Sequence, residues 1–351
     1  MFDISWTEMY KQKQIANRKN EHIQIVNKLD VSSGITNGFD GYQFMHRALP
    51  EIDLKAINPT LTLFNKSLRF PLLISSMTGG TNQGHKINRV LAKVAQNSHI
   101  AMGLGSQRVG MEIPQSGDTF KVRHIAPDIL LFANLGAVQL NYSCTPEYCQ
   151  RIVDSVEADA LFLHLNPLQE ALQPEGDVNF SDLLKKIEMV CKTITVPVVI
   201  KEVGWGISEE VAKLLISAGV AGIDVAGAGG TSWSEVEKYR IKDETRSRVA
   251  AGFKNWGIPT ADSLVMVKNA VPKVILIASG GINDGIETAK AIALGASLVG
   301  FAARFLKAAL ISEQACQQVL DEITQQLMIC MFVSGAYDLN QLHHIKLIKK
   351  Q

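Results

Sequence analysis

The sequence predicts an α/β protein built as a closed TIM-type (β/α)8 barrel, with an N-terminal helical arm and a long loop between the sixth and seventh strands. Three observations carry that prediction. Eight short apolar runs follow one another along the chain, each ending in Gly, Ser, Asn or a charged residue and each followed by a segment of helical apolar periodicity. The first four end near Ser75, Gly105, Gly136 and Leu165, about 30 residues apart, close to the length of one strand–helix unit. The runs are continuous in Val, Ile and Leu rather than alternating, which is the pattern of strands buried on both faces beneath helices. Eight of them in series favour closure into a barrel over an open doubly wound sheet.

Taken in order, residues 1–70 form an arm that reads as helical from about Trp6, and residues 71–340 form the barrel, 1–351 being a single domain. The runs are "PLLISSMTGG" (71–80), "IAMGLGSQR" (100–108), "ILLFANLGA" (129–137), "ALFLHLN" (160–166), "VPVVIKEVG" (196–204), "GIDVAGAGG" (222–230), "VILIASGGI" (274–282) and "SLVGFAA" (297–303). Residues 227–273, between the sixth and seventh, are too many for one helix. Rich in Gly and charge, they suit a long active-site loop better than a second domain. The basic run "HHIKLIKK" (343–350) reads as surface.

Composition narrows the function. With 46% hydrophobic and 20% charged residues, the chain of 351 has the profile of an ordinary globular protein. Thirty-five Lys and Arg against 34 Asp and Glu leave a net charge of +1, so no global field favours nucleic acid or an anionic membrane, and an anion must be bound locally. Cys144, Cys149, Cys191, Cys316 and Cys330 are odd in number and lack C-x-x-C spacing, which points to inert thiols in a reducing cytoplasm. The polar start "MFDISWTEMYKQKQ" has no signal-like apolar region, and no run reaches the roughly 18 apolar residues of a membrane span, so neither secretion nor a membrane location is expected.

The chemistry gathers where a barrel puts it, at the carboxyl ends of the strands. "ASGGI" and "GFAARF", after strands seven and eight, sit where barrels commonly hold a phosphate, making Gly280, Gly281 and Ala302 candidates; the plain alternative is a tight turn. Lys201, at the end of a buried strand, needs an anionic partner, either its neighbour Glu202 or negative charge on a cofactor ring. "SSMTGG" (75–80) would let backbone pass behind a flat ring, although Met77 alone reads equally as core. "HLNPLQE" (164–170) crowds His164, Asn166, Gln169 and Glu170 into seven positions. A carboxylate there suits Mg²⁺, whose other ligands are waters and phosphate oxygens; the alternatives are a helix-start acid and a core histidine. In the arm, "NRKNEH" (17–22) puts Arg18 and His22 on one helical face, either solvated or folded over the mouth with Lys19 towards an anionic substrate.

"RKNEH" (18–22), "SMTGG" (76–80), "GLGSQR" (103–108), "NLGA" (134–137), "HLNPLQE" (164–170), "KEVGWG" (201–206), "GAGGTSW" (227–233), "NWGIPT" (255–260) and "ASGGI" (278–282) together resemble type 2 isopentenyl diphosphate isomerase, the flavin-dependent form. The resemblance spans roughly residues 15–340, with the motifs in the expected order. It implies a TIM barrel holding FMN and Mg²⁺, with NADPH as the usual reductant, in a cytoplasmic homotetramer or homo-octamer that interconverts isopentenyl and dimethylallyl diphosphate for isoprenoid synthesis. Carried onto this chain, it implies that Arg18 and Lys19 bind the diphosphate, helped by His22, Arg108, His164 and Asn166, that Gln169 contacts substrate and that Glu170 ligates Mg²⁺. FMN would lie against Ser76, Met77 and Thr78, with Ser106, Asn134, Lys201 and Thr231 around it and its phosphate at Gly281, Ile282, Asn283, Ala302 and Ala303. Where the family often has arginine, this chain has Asn283, and Arg304, close to the last loop, is a candidate to compensate.

The resemblance also frames the chemistry as moving a proton on an unactivated alkene. Reduced flavin offers N5, expected to donate and accept the proton, with Lys201 supporting the ring's anionic state, Gln169 orienting the alkene or relaying a proton, and His164 grouped with them as catalytic. Binding energy from the diphosphate, held away from the reacting end by Arg18, Lys19 and Mg²⁺, would be converted into orientation. One alternative is an FMN-dependent 2-hydroxy-acid oxidase or dehydrogenase, which resembles a His-Gly-x-Arg pattern after strand six; this chain has "GAGGTSW" there and no histidine between 165 and 342. The other is a flavin-binding barrel without catalysis.

Overall fold

A computed structural model describes residues 6–112 and 114–350. Its barrel strands are Leu72–Ile74, Ala101–Gly103, Leu131–Gly136, Ala160–His164, Val198–Lys201, Gly222–Asp224, Ile275–Ala278 and Leu298–Phe301. Each pairs in parallel with the next and the eighth with the first, closing the barrel. All eight lie within the apolar runs read from sequence. Side chains alternate along each strand: Leu161, Leu163, Ile200, Leu276 and Ala278 pack outward in the large helix-covered core, while Phe132, Phe162, Val199 and Ile277 point into the barrel.

The amino-terminal end of the barrel is sealed by an antiparallel hairpin, Leu61–Leu63 with Lys66–Leu68. Leu63 and Leu68 join Leu73, Phe132, Phe162 and Leu298 in one apolar cluster. The Phe132 and Phe162 rings stack with centroids 4.3 Å apart, and Phe64 meets Phe132 edge-on.

The arm helix runs Trp6–Lys28, its described face burying Ile23 and Val26. It leads into a segment hydrogen-bonded to the connection between strands six and seven, Ser33 N–H to Gly230 carbonyl at 2.8 Å and Ser232 N–H to Val31 carbonyl at 2.8 Å. That connection is more ordered than the expected loop. It carries three helices, Trp233–Arg240, Glu244–Ala251 and Thr260–Ala270. Asp243 caps the second by accepting the Arg246 N–H, and short, charge-rich helices of this kind leave little apolar periodicity to read. The chain ends with Ile348–Lys349 paired to Tyr42–Gln43, its basic residues exposed. Among the described residues no helix is long and apolar enough to cross a membrane. Burial pushes four of the thiols up, to about 12 at Cys149 and about 11 at Cys191, Cys316 and Cys330, which keeps these four unreactive at neutral pH.

Candidate active site

Two residues beyond the inward-facing apolar layer, the same strands carry polar groups. Phe132 is followed by Asn134, Phe162 by His164, Val199 by Lys201, Gly222 by Asp224, Ile277 by Ser279 and Leu73 by Ser75. The strand register sets His164 opposite Lys201, and Lys201 opposite Asp224. Because side chains repeat with period two, one more pair of residues per strand turns a hydrophobic plug into a polar floor for the mouth.

Lys201 is 9% exposed and Asp224 fully buried, their charges 3.5 Å apart. Asp224 is fixed from its other oxygen by the Ser279 hydroxyl at 2.6 Å and the Ala226 N–H at 3.2 Å. The lysine also donates to the Glu202 carbonyl at 2.8 Å. Of the two partners considered from sequence, the Glu202 carboxylate is therefore not the one used. Adjacent strand residues face opposite sides, and Glu202 instead accepts the N–H groups of Val203, Gly204 and Trp205 at 2.6–2.7 Å. Burial pushes its carboxyl up to about 7 despite those donors.

At the end of strand one, the hydroxyls of Ser75, Ser76 and Thr78 are buried and have no hydrogen-bond partner among the described residues. Buried hydroxyls are rarely left unpaired, so three in four residues fit the edge of a polar ring system such as FMN. Met77, half-buried beside them, packs on the core. A Cβ on Gly105 would fall 2.4 Å from the Thr78 carbonyl, so glycine there permits the close approach of the two strand-end loops.

The seven residues read as a cluster form one. The His164 ring meets Asn134 Oδ1 at 2.8 Å, and the Asn134 amide donates onward to the Leu104 carbonyl at 3.0 Å, which assigns the imidazole proton to Nδ1. Burial, then the Lys201 charge, push this histidine down to about 4, so it is neutral at physiological pH. Asn166 donates to Gln169 at 3.2 Å and to Glu170 at 2.9 Å. Glu170 also accepts from Gln173 and from the Asp177 N–H at 2.7 Å, and the Asp177 side chain pairs with Arg108 at 2.6 Å. Asn166 Oδ1, in contrast, is buried without a partner. One carboxylate and an unpaired amide oxygen suit a hard cation that keeps most of its water and phosphate ligands. Among the described residues no three His, Cys, Asp or Glu side chains gather as a complete metal cage.

The arm lies over this mouth. Lys19 Nζ donates to the Ser106 carbonyl at 3.0 Å and sits 5.1 Å from the centre of the Phe120 ring. Burial, with Arg18 beside it, pushes its ammonium down to about 7. Arg18 lies 3.8 Å from Glu175. His22 stacks edge-on against Trp233 and reaches Glu237 at 3.2 Å. Glu237, wholly buried, also accepts from Gln169 at 3.1 Å and from Arg240 at 2.5 Å. Burial works to raise its carboxyl, but the bonds and charges of His22 and Arg240, with the Gln169 amide, outweigh it and hold it at about 2.

The two loops expected to hold a phosphate are also adjacent to the mouth. Gly281 (φ +71°) packs so tightly on Gly229 and Gly230 that a Cβ would fall 2.4 Å from the Gly229 backbone. Its carbonyl accepts from Asn37 and Asn283, each at 2.7 Å, and the Asn283 N–H is donated to Glu287 at 2.8 Å. Ile282 is buried, while Asn283 and Ala302 are exposed and Ala303 half-exposed. Arg304 donates to the Asn283 carbonyl and pairs with Glu322 at 2.7 Å. Thr231 belongs to the stretch bridged to the arm at Ser32. Sequence reasoning missed Asp224, Glu237 and Arg240. For Asp224 a signal existed, a charge ending the strand next to that of Lys201; Glu237 and Arg240 lie in the stretch read as loop.

The profile of the family described as FMN-dependent dehydrogenase matches residues 153–349. The isopentenyl-diphosphate delta-isomerase of Rickettsia bellii (strain OSU 85-389) is 52% identical over 330 residues, covering 94% of this chain and 96% of that one. The protein of the same name from Rickettsia africae (strain ESF-5) is 51% identical over 325 residues, covering 93% and 95%. Among solved structures, a mandelate oxidase variant with benzaldehyde aligns at a TM-score of 0.67 and 17% identity over 97% of this chain and 98% of that one. At that identity the likeness speaks for the barrel alone.

Proposed function

The chain belongs to the FMN-dependent isopentenyl-diphosphate delta-isomerase family, and from that premise we propose that its mouth converts isopentenyl to dimethylallyl diphosphate and back, using reduced FMN and Mg²⁺. The observation that carries the substrate assignment is Lys19. Its ammonium is half-buried over the mouth beside Arg18, and among the described residues no carboxylate pairs with it. A partly desolvated cation in that position calls for an anion brought from outside, and a diphosphate meets both charges.

Reduced FMN, when bound, would supply a protonatable N5 for the proton transfer. The protein's own groups do the rest. Ser76 and Thr78 offer free hydroxyls to the ring, Lys201 presents a fixed positive charge that favours its anionic form, and Asp224 keeps that lysine in place. Gln169 has its amide orientation set, NH₂ towards Glu237 and oxygen towards Asn166, so it can hold the alkene end in one pose. Glu170 and the Asn166 oxygen would hold Mg²⁺ together with diphosphate oxygens. With its proton on Nδ1, His164 offers Nε2 as an acceptor, and it would have to gain a proton to assist a phosphate.

The test is anaerobic incubation of purified protein with isopentenyl diphosphate, FMN, Mg²⁺ and NADPH. Dimethylallyl diphosphate is expected only when the flavin is reduced, and chelation with EDTA is expected to raise KM more than it lowers kcat. Bound flavin that is reduced by a 2-hydroxy acid and yields no isomer would overturn the reading in favour of an oxidase. For such an oxidase the connection after strand six offers Glu237 but no histidine to abstract a proton.

A further inference from the structure

The arm and Gln169 meet in a network that the isomerase reading does not by itself require. Arg240 is its centre, with its side chain only 9% exposed. Its Nε lies 3.2 Å from Glu21 on the arm helix, its Nη1 2.5 Å from Glu237 on its own helix, and its Nη2 2.8 Å from Glu175 in the stretch after helix Pro167–Leu172. Three carboxylates from three separate segments therefore converge on one guanidinium. Only arginine's planar fork donates in three fixed directions at once; an ammonium is a single point charge and holds no such angle.

The contacts differ in weight. Glu21 and Glu175 are about half exposed, and ion pairs of that kind contribute little singly. Glu237 is fully buried, and the oxygen that accepts from Gln169 also accepts from His22, one residue along the arm from Glu21. Without Arg240, a buried carboxylate would keep only His22 and Gln169, and the arm would lose its tie to the helix Trp233–Arg240 at Glu21. Gln169 would then have a mobile acceptor, and its amide could turn over, presenting oxygen where it now presents NH₂.

We infer that Arg240 is a positioning residue that clasps the N-terminal arm over the mouth and, through Glu237, fixes the amide of Gln169, so that arm closure and Gln169 orientation are one event. The part concerning Gln169 rests on the isomerase reading. The part concerning the arm does not.

The experiment compares the FMN-loaded full chain with Arg240→Ala, Arg240→Lys and Glu21→Gln, reading amide hydrogen exchange across 17–28 and the steady-state constants for isopentenyl diphosphate. Arg240→Ala should accelerate exchange in 17–28 by roughly tenfold or more and lower kcat per folded enzyme by about 10- to 100-fold, with FMN affinity nearly unchanged, while the stranded Glu237 carboxylate lowers the melting temperature. Arg240→Lys should recover less than half of the lost kcat on a logarithmic scale, because the charge returns without the fork. Glu21→Gln, an exposed and conservative change that leaves the fold intact, should loosen the arm to a smaller degree and serves if Arg240→Ala does not fold. Exchange unaltered in both Arg240→Ala and Glu21→Gln would overturn the clasp. Loosened exchange with kcat per folded enzyme within twofold of the parent would overturn the link to Gln169. A parent protein without isomerase activity, but with an arm that loosens as described, would instead count against the function and leave the clasp standing.

Discussion

The two ends of this barrel are made by the same strands and differ by one repeat of the pleat. At the sealed end, Leu73, Phe132, Phe162, Val199 and Ile277 fill the interior together with Leu63 and Leu68 of the hairpin. Two residues further on, Ser75, Asn134, His164, Lys201 and Ser279 occupy the equivalent inward positions. The first layer needs only volume and apolar surface. The second holds a buried ion pair, a neutral histidine and, at Ser75, a hydroxyl without a partner, and such an unpaired polar group costs stability unless a ligand completes it. Stability and chemistry are thus separated along the strand axis by about 7 Å, two residues of extended chain.

The largest effect is expected at the sealed end. Phe162→Ala removes a stacked ring from a dry core and should cost about 3–5 kcal/mol of stability, read by urea unfolding, while kcat per folded molecule stays the same. A large loss of kcat in the folded fraction would show that the layers are not separable.

Next in size is the charge at the mouth. Lys201→Met should lower kcat by about 10²–10³-fold with FMN still bound, because a fixed charge beside the developing anion is lost. It also strands Asp224, so the single variant should be less stable than the double variant Lys201→Met with Asp224→Asn. Stability returning without activity is the expected outcome, and full activity in Lys201→Met would remove Lys201 from the mechanism.

Glu237→Gln keeps shape and removes charge. A fall in kcat of about tenfold to 100-fold is expected, with a smaller rise in KM, since Glu237 orients Gln169 directly and reaches the diphosphate only by way of His22. If KM alone rises, the carboxylate serves substrate binding instead.

The smallest effect is a slope. Lys19 is held down to about 7 in the folded protein against 10.5 in an unfolded chain, so the unfolded state binds more protons between those values. Its contribution makes stability rise with pH across that window, by less than about 1.4 kcal/mol per unit. The difference between parent and Lys19→Met, followed by urea midpoints from about pH 7.5 to 9.5, isolates it from the thiols, which titrate nearby and act in the opposite sense. Saturating diphosphate should reduce the difference, because a bound anion restores the lysine's proton affinity.

The sequence made the barrel legible because each strand is a continuous apolar run with a small or polar residue at its end, and eight such runs at similar spacing leave few other arrangements. The cluster from His164 to Glu170 was legible because its members are neighbours in the chain. Asp224 was not connected to Lys201, because that contact depends on strand pairing; the nearer Glu202 looked equally eligible until the alternation of the strand sent it the other way. Glu237 and Arg240 were hidden for a different reason. Helix Trp233–Arg240 is short and polar, buries Glu235 and Glu237 along with Val236, and so presents no apolar stripe to announce it.

The most direct test of the whole account follows the proton. Protein loaded with FMN and reduced without oxygen is given isopentenyl diphosphate and Mg²⁺ in D₂O, and the product is read by NMR and mass spectrometry. Protonation of the terminal alkene carbon should place solvent deuterium in a methyl group of dimethylallyl diphosphate, with no label or product when the flavin is oxidised. Unchanged isopentenyl diphosphate under reducing conditions, or equal conversion with oxidised flavin, would contradict it.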